Sequence, residues 1–195
     1  MTLRDFSRDF NKNFNQIADS ITEGLEQLTL DCIQQVPSAK AKMVLSYALD
    51  LLRPHFLSLG VRISVLAPLR VELILPAKLR VLDSEGCIFL GVQTSAAIEG
   101  YRLWWQRNLP ANLARQGCQI RVLQVQARVH KPSHQELHIR GEVSEISRES
   151  CLAELIQNKK TKHQMTMYCV DSENQICTEF DLESELTCKD LLAWK

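Results

Sequence analysis

One helix, written into residues 85–105, limits what the rest of this chain can do. Glu85-Gly86-Cys87-Ile88-Phe89-Leu90 reads as a glycine-punctuated loop, and the stretch from about Gly91 to Asn108 as the helix it feeds. Gly91, Ser95, Ala96, Ala97 and Gly100 are small, so a neighbouring backbone can come close along that side. Trp104 and Trp105 close the far end, and Pro110 stops the helix near Asn108. Ser95, Glu99, Arg102 and Gln106 fall on one stripe at steps of four and three. That stripe is expected at the surface, with Glu99 and Arg102 as an exposed ion pair.

The segments around the helix have a different period. Val61–Ala67 and Val71–Leu75 read as strands broken by Pro68 and Pro76, and Leu79–Leu82 as a further short strand. Ile120–Val129 and Leu137–Val143 alternate apolar and polar residues and are the candidate sheet edges. Glu149–Asn158 suggests a short helix, and Gln164–Val170 a strand. In the last strand Ile176, Thr178, Phe180, Leu182 and Leu186 face one way, and Glu179, Asp181, Glu183 and Glu185 the other. The acidic side reads as a solvated sheet face. Upstream, Phe10, Phe14, Ile17, Ile21, Leu25, Leu28 and Cys32 recur at helical steps. Pro37-Ser38 caps a second helix with Val44, Tyr47, Ala48, Leu51 and Leu52 on its apolar face. The expected division is a helical extension over residues 1–50 and a body over residues 51–195.

Composition narrows the classes. The chain has 23 basic and 23 acidic residues among 195, so it lacks the basic excess that nucleic acid or an anionic membrane requires. No apolar run is long enough for a membrane span, and the charged start does not read as a signal peptide, which predicts a cytoplasmic protein. The seven cysteines form no CxxC pair and sit in apolar or alternating runs. They read as small buried hydrophobes in a reducing compartment, and neither a disulfide framework nor a zinc site is expected. No phosphate loop, dinucleotide fingerprint or GxSxG elbow is present, so no cofactor is expected.

The chemistry the helix head would support is electrophile binding. A helix start leaves backbone N–H groups without partners, here those of Gly91, Val92 and Gln93. Such donors, with the helix dipole, stabilise an oxygen that becomes negative in a transition state. Gln93 and Thr94 on the first turn, and Asp83 and Glu85 just before it, are the candidates for orienting or activating water. Phe89, Leu90, Gly91 and Val92 are the candidate substrate-binding residues. His55, the lone histidine before the helix, lies too far upstream to serve as a dehydratase base.

Gly86-Cys87-Ile88-Phe89-Leu90-Gly91-Val92 and the small-faced helix resemble the thioesterase-like domain at the C-terminus of YiiD-type proteins. That family carries Thr/Val-Phe-Gly-Gly-Ser before a helix ending in an aromatic residue. Val129-His130-Lys131-Pro132 is similar to its Tyr-x-x-Pro strand end. Ser150–Leu155, followed by Lys159-Lys160-Thr161-Lys162, is similar to its closing region. The resemblance spans roughly Leu51 to Leu186. It implies an α+β hotdog fold, a curved antiparallel sheet wrapped around one central helix. It also implies a homodimer with acyl sites between subunits, and acyl-CoA or acyl-carrier thioesters as ligands. Leu90 stands where that signature has its first Gly, and Val92 where it has Ser. These departures motivate an alternative, a catalytically silent hotdog module that binds an acyl group or a protein.

Overall fold

The computed structural model describes residues 59–110, 113 and 117–188. The two helices expected upstream and the expected boundary at residue 50 lie outside these residues. Among these residues six strands and two α-helices follow one another as β1 (Arg62–Ala67), β2 (Arg70–Leu75), α1 (Leu90–Asn108), β3 (Gln119–Val129), β4 (Leu137–Glu142), α2 (Glu145–Asn158), β5 (Lys160–Val170) and β6 (Ile176–Thr187). The strands form one antiparallel sheet in the order β1-β2-β4-β5-β6-β3. Helix α1 touches all six strands.

The small residues set how deeply the helix sits. Ala96, Ala97 and Gly100 are buried in the core with Tyr101, Leu103, Trp104 and Trp105. A Cβ added at Gly100 would come within 2.9 Å of the Met167 methyl and 3.2 Å of Leu73 Cδ1, side chains from β5 and β2. Only glycine lets these strands close on the helix at that level. At the far end Trp104 Nε1 donates to Pro68 O at 2.9 Å, pinning the helix to the β1–β2 turn.

Several expectations change. The Leu79–Leu82 segment is a 3₁₀ turn over Leu79–Val81 with a single bridge from Leu82 to Ile88, because Pro76 and the following turn leave no strand partner. Helix α2 begins earlier than expected, at Glu145, where the Ser144 side chain caps it by accepting from Ser147 N–H. Strand β5 likewise begins at Lys160. Strand β4 is not an edge, because it pairs with both β2 and β5; the edges are β1 and β3. Glu99 is not on the surface either. It pairs with Arg102 Nη1 at 3.8 Å as expected but is only 2% exposed, because the fold encloses more of the helix than one apolar face. Finally, Cys118 and Cys188 are joined in a disulfide, contrary to the expectation that all seven thiols stay free. Strand pairing of Gln119 with Thr187 brings these distant cysteines side by side, which linear spacing does not reveal.

The acidic face of β6 is neutralised by its neighbours. Arg128 of β3 pairs with Asp181, and Lys160 and Lys162 of β5 pair with Glu185 and Glu183 at 2.7 and 3.4 Å. On β2, the buried Glu72 carboxylate receives His138 Nδ1 at 3.0 Å, Arg70 Nη2 at 2.7 Å and Arg140 Nε at 3.2 Å. Burial alone would raise its pKa, but these hydrogen bonds and charges outweigh it and hold the carboxyl below its ordinary value.

A polar knot is buried among the aromatics. The Tyr101 hydroxyl lies 2.9 Å from His163 Nδ1, 3.0 Å from His163 O and 2.7 Å from Ser184 Oγ. The His163 ring stacks on Trp104, with centroids 5.1 Å apart. Burial drives the His163 pKa from 6.5 down to about 4, so the imidazole is neutral in the folded protein near pH 7.

Two outcomes follow from this packing. Gly100→Leu should cost about 1–3 kcal/mol in chemical denaturation, because the added side chain must displace Met167 and Leu73, both fully buried. An unchanged midpoint would mean that the helix is not held this closely. For His163, the unfolded chain takes up a proton that the folded state refuses as pH falls from 6.5 towards 4. Stability should therefore be steady above that window and decline through it, by an amount on the order of 3 kcal/mol. His163→Gln should remove most of that slope when urea titrations at pH 7 and 4.5 are compared, while the Glu72 contribution persists in both proteins.

Candidate active site at the head of the central helix

The loop before α1 is tied down on both sides. Asp83 Oδ1 accepts from the N–H groups of Glu85 and Cys87, both at 2.9 Å, and Asp83 N–H donates to Cys87 O. Gly86 sits at the turn with φ +76°, a conformation that favours glycine. Next, Ile88 N–H donates to Ser133 O at 2.7 Å and Phe89 N–H to Val81 O at 2.8 Å. The helix therefore starts from a fixed point.

Of the donors expected at the helix head, those of Val92 and Gln93 are already used. Both donate to Phe89 O, at 3.0 and 3.2 Å. Among the described residues, the Leu90 and Gly91 N–H groups have no backbone acceptor. The exposed Phe89 ring lies against Gly91, where an added Cβ would come within 2.6 Å of ring atom Cε1.

Gln93 is brought to the site but committed to structure. Its Nε2 donates to Ile88 O at 2.7 Å, and its Oε1 accepts from Thr178 Oγ1 at 2.7 Å. Both groups are buried. Gln93 thus bolts the loop and helix start to β6. The sequence reading missed Thr178 as its partner, although the inward phase of β6 already placed that hydroxyl in the core. Thr94 and Ser95 hydroxyls donate to the carbonyls four residues back, those of Leu90 and Gly91. Asp83 and Glu85 are exposed on the turn.

A thiol and an imidazole also meet beside this loop. Cys87 Sγ is 3.6 and 3.7 Å from the two ring nitrogens of His134, whose Nδ1 is 3.2 Å from Gly86 O. Burial, then the Asp83 and Glu85 charges, push the Cys87 thiol above its ordinary pKa. It is therefore a protonated, shielded thiol rather than an activated nucleophile.

The match to solved structures is broad. A protein of unknown function from Pseudomonas aeruginosa, named a probable thioesterase, has a TM-score of 0.66 at 14% identity, over 75% of this chain and 96% of that one. A thioesterase from Haemophilus influenzae has a TM-score of 0.59 at 16% identity, over 83% of this chain and 96% of its own. A variant of a thioesterase from Staphylococcus aureus has a TM-score of 0.54 at 11% identity, over 68% and 98%. The fold is a hotdog. No family model and no curated protein matches the chain.

A concavity lies on the outer face of the hotdog sheet. This groove of about 550 Å³ is lined by Arg140, Ser144, Gln164, Thr166, Tyr168 and Asn174, among others. Its charged residues are Arg140, engaged by Glu72 and Asn174, and Glu142, which pairs with Arg70 at 3.6 Å but stays largely exposed. Among the described residues, no cluster of His, Cys, Asp and Glu could hold a metal ion, and no helix is long and apolar enough to cross a membrane.

The Gln93–Thr178 bolt has a measurable consequence. Thr178→Val keeps the shape but strips Gln93 Oε1 of its donor, and should destabilise the protein by roughly 1–3 kcal/mol. Thr94→Val, on the exposed side of the helix, should stay within about 0.5 kcal/mol. Equal effects in urea denaturation would remove the argument that Gln93 anchors the helix head.

Proposed function

We propose that the protein hydrolyses acyl thioesters at the head of α1. The observation that carries this reading is the pair of backbone donors at Leu90 and Gly91, held at the positive end of a 19-residue helix. A thioester carbonyl seated there would gain more from these donors as its oxygen becomes negative than in the ground state. Phe89 and Leu90, 56% and 38% exposed, offer apolar contact for the acyl chain, with Gly91 and Val92 forming the floor. Gln93 acts by holding the donors in place, and Thr94 orients water through its hydroxyl oxygen. Asp83 and Glu85 supply the carboxylates that activate water. The thioesterase names of the hotdog neighbours, and the resemblance to the YiiD-type domain, support the substrate class: acyl-CoA or an acyl-carrier thioester.

The direct test is free-thiol release from acyl-CoAs of graded chain length. Turnover above background is expected, and Asp83→Asn combined with Glu85→Gln should lower kcat by about 10²-fold or more. No turnover at any chain length, on CoA or on a carrier protein, would contradict hydrolysis.

One observation favours a second reading, a silent module that binds an acyl group or a protein. The Phe89 ring rests on Gly91, so it covers part of the surface a substrate would approach. An acyl ligand retained through purification, seen by native mass spectrometry in a protein without turnover, would support this reading.

The same reading includes a homodimer in the cytoplasm. Edge strand β3 leaves one side of its backbone unpaired by any described strand, and its Leu123 and Val129 are 42% and 56% exposed. A second copy pairing there would cover both the backbone and the apolar side chains. Light scattering at micromolar concentration should give twice the monomer mass, and Val129→Lys should shift the equilibrium towards monomer. A protein that remains monomeric on concentration would contradict the pairing.

A further inference from the structure

Cys118 and Cys188 stand immediately outside two paired strand ends, since Gln119 of β3 faces Thr187 of β6. Their sulfurs are bonded and their Cα atoms are 4.1 Å apart. The bond therefore locks backbone that the sheet has already brought together. Cys188 N–H donates to Lys159 O at 2.9 Å, so the same corner also holds the junction of α2 and β5.

What the bond secures is a weak piece of sheet. Among the described strands of one subunit, β3 lies at an edge and is paired with β6 alone. Its register shifts between Val122 and Gln124, which divides it into a short leading piece, Gln119–Val122, and a longer piece from Gln124 to Val129. In the leading piece Ile120 and Val122 are only partly buried against the core. Four residues at a sheet edge beyond a bulge have little to hold them without a covalent tie. The four other described cysteines differ in setting. Cys87, Cys169 and Cys177 are free and buried, and Cys151 is free and half-buried in contact with Lys162 O. Cys118 is half-buried and Cys188 buried, so Cys118 is the more accessible residue of the bridge.

We propose that Cys118–Cys188 is a reversible oxidation site that fixes or releases the leading piece of β3. Reduction by a dithiol begins when its thiolate attacks Cys118 Sγ, forming a mixed disulfide and expelling the Cys188 thiolate, which takes up a proton. The second thiol of the dithiol then displaces Cys118, which leaves as a thiolate and is protonated. The dithiol becomes a cyclic disulfide, and two electrons have passed to the protein. Oxidation runs the same exchange in reverse against a disulfide such as oxidised glutathione. With the bridge open, Gln119–Val122 can leave β6 while Gln124–Val129 stays paired. The switch does not depend on the proposed hydrolysis, because it concerns the attachment of the edge strand itself.

The full chain is equilibrated in glutathione buffers of graded oxidation, quenched in acid and alkylated, and peptide masses report the fraction of Cys118 and Cys188 in the bridge. Amide hydrogen exchange is then followed on the fully oxidised and fully reduced protein. The expected result is one coupled transition of the two cysteines, with Cys87, Cys151, Cys169 and Cys177 alkylated as free thiols. Peptides over Gln119–Val122 should exchange about ten-fold faster when reduced, while those over Val125–Val129 stay nearly unchanged. Cys118→Ser should exchange like the reduced protein under oxidising conditions; if it does not fold, the comparison of the two wild-type states decides alone. The proposal is overturned if the two cysteines stay as thiols in excess oxidised glutathione. It is equally overturned if exchange at Gln119–Val122 is the same in both states, or if the whole protein unfolds on reduction.

Discussion

The structure depends on how closely a helix can lie against a sheet. At Gly100 the distance to Met167 and Leu73 leaves no room for a Cβ, and Ala96 and Ala97 continue the same thin wall. Because the wall is thin, strands β2, β4 and β5 can curve around α1 instead of merely resting on it. Once the helix is enclosed, its far end must be filled by large side chains. Trp104, Trp105 and Tyr101 do this without exposure, and the polar atoms of Tyr101 find His163 and Ser184.

Enclosure also fixes the helix head. The start of α1 cannot shift, because Gln93 ties it to Thr178 on β6 and to Ile88 O on the incoming loop. The loop is itself held by Val81, Ser133 and the Asp83 turn. A catalytic oxyanion site needs donors that do not reorganise as charge develops. In this hotdog the buried Gln93 amide gives the helix head that rigidity, and in the proposed function the Leu90 and Gly91 N–H groups are the donors. The same arrangement explains why Gln93 serves better as a brace than as a handler of water: both ends of its amide are occupied.

Local signals were legible in the sequence. The Leu90–Asn108 helix, its small buried face and the inward phase of β6 from Thr178 to Leu186 follow from periodicity and residue size, whereas Ile176, expected inward, is exposed where the strand begins. What the sequence did not reveal depends on tertiary partners. Glu99 looks like a surface residue by spacing, yet it is buried because the fold closes over that side of the helix. β4 and β3 show similar alternation, but only their pairing shows that β4 is internal and β3 an edge. Leu123 breaks the alternation expected of β3, because the bulge after Val122 leaves it out of register. The Gln93–Thr178 bond and the Cys118–Cys188 bridge span 85 and 70 residues, and neither has any local signature.

The central claim is that the head of α1 receives the carbonyl of an acyl thioester. The most direct measurement is the amide spectrum of ¹⁵N-labelled protein titrated with an acyl-CoA analogue in which a ketone replaces the thioester. The analogue keeps the carbonyl but cannot be hydrolysed. The account predicts that the largest downfield proton shifts fall on Leu90 and Gly91, with smaller changes at Phe89 and Val92. Binding that perturbs the outer groove around Arg140 and Tyr168, and leaves the Leu90 and Gly91 amides unmoved, would contradict it.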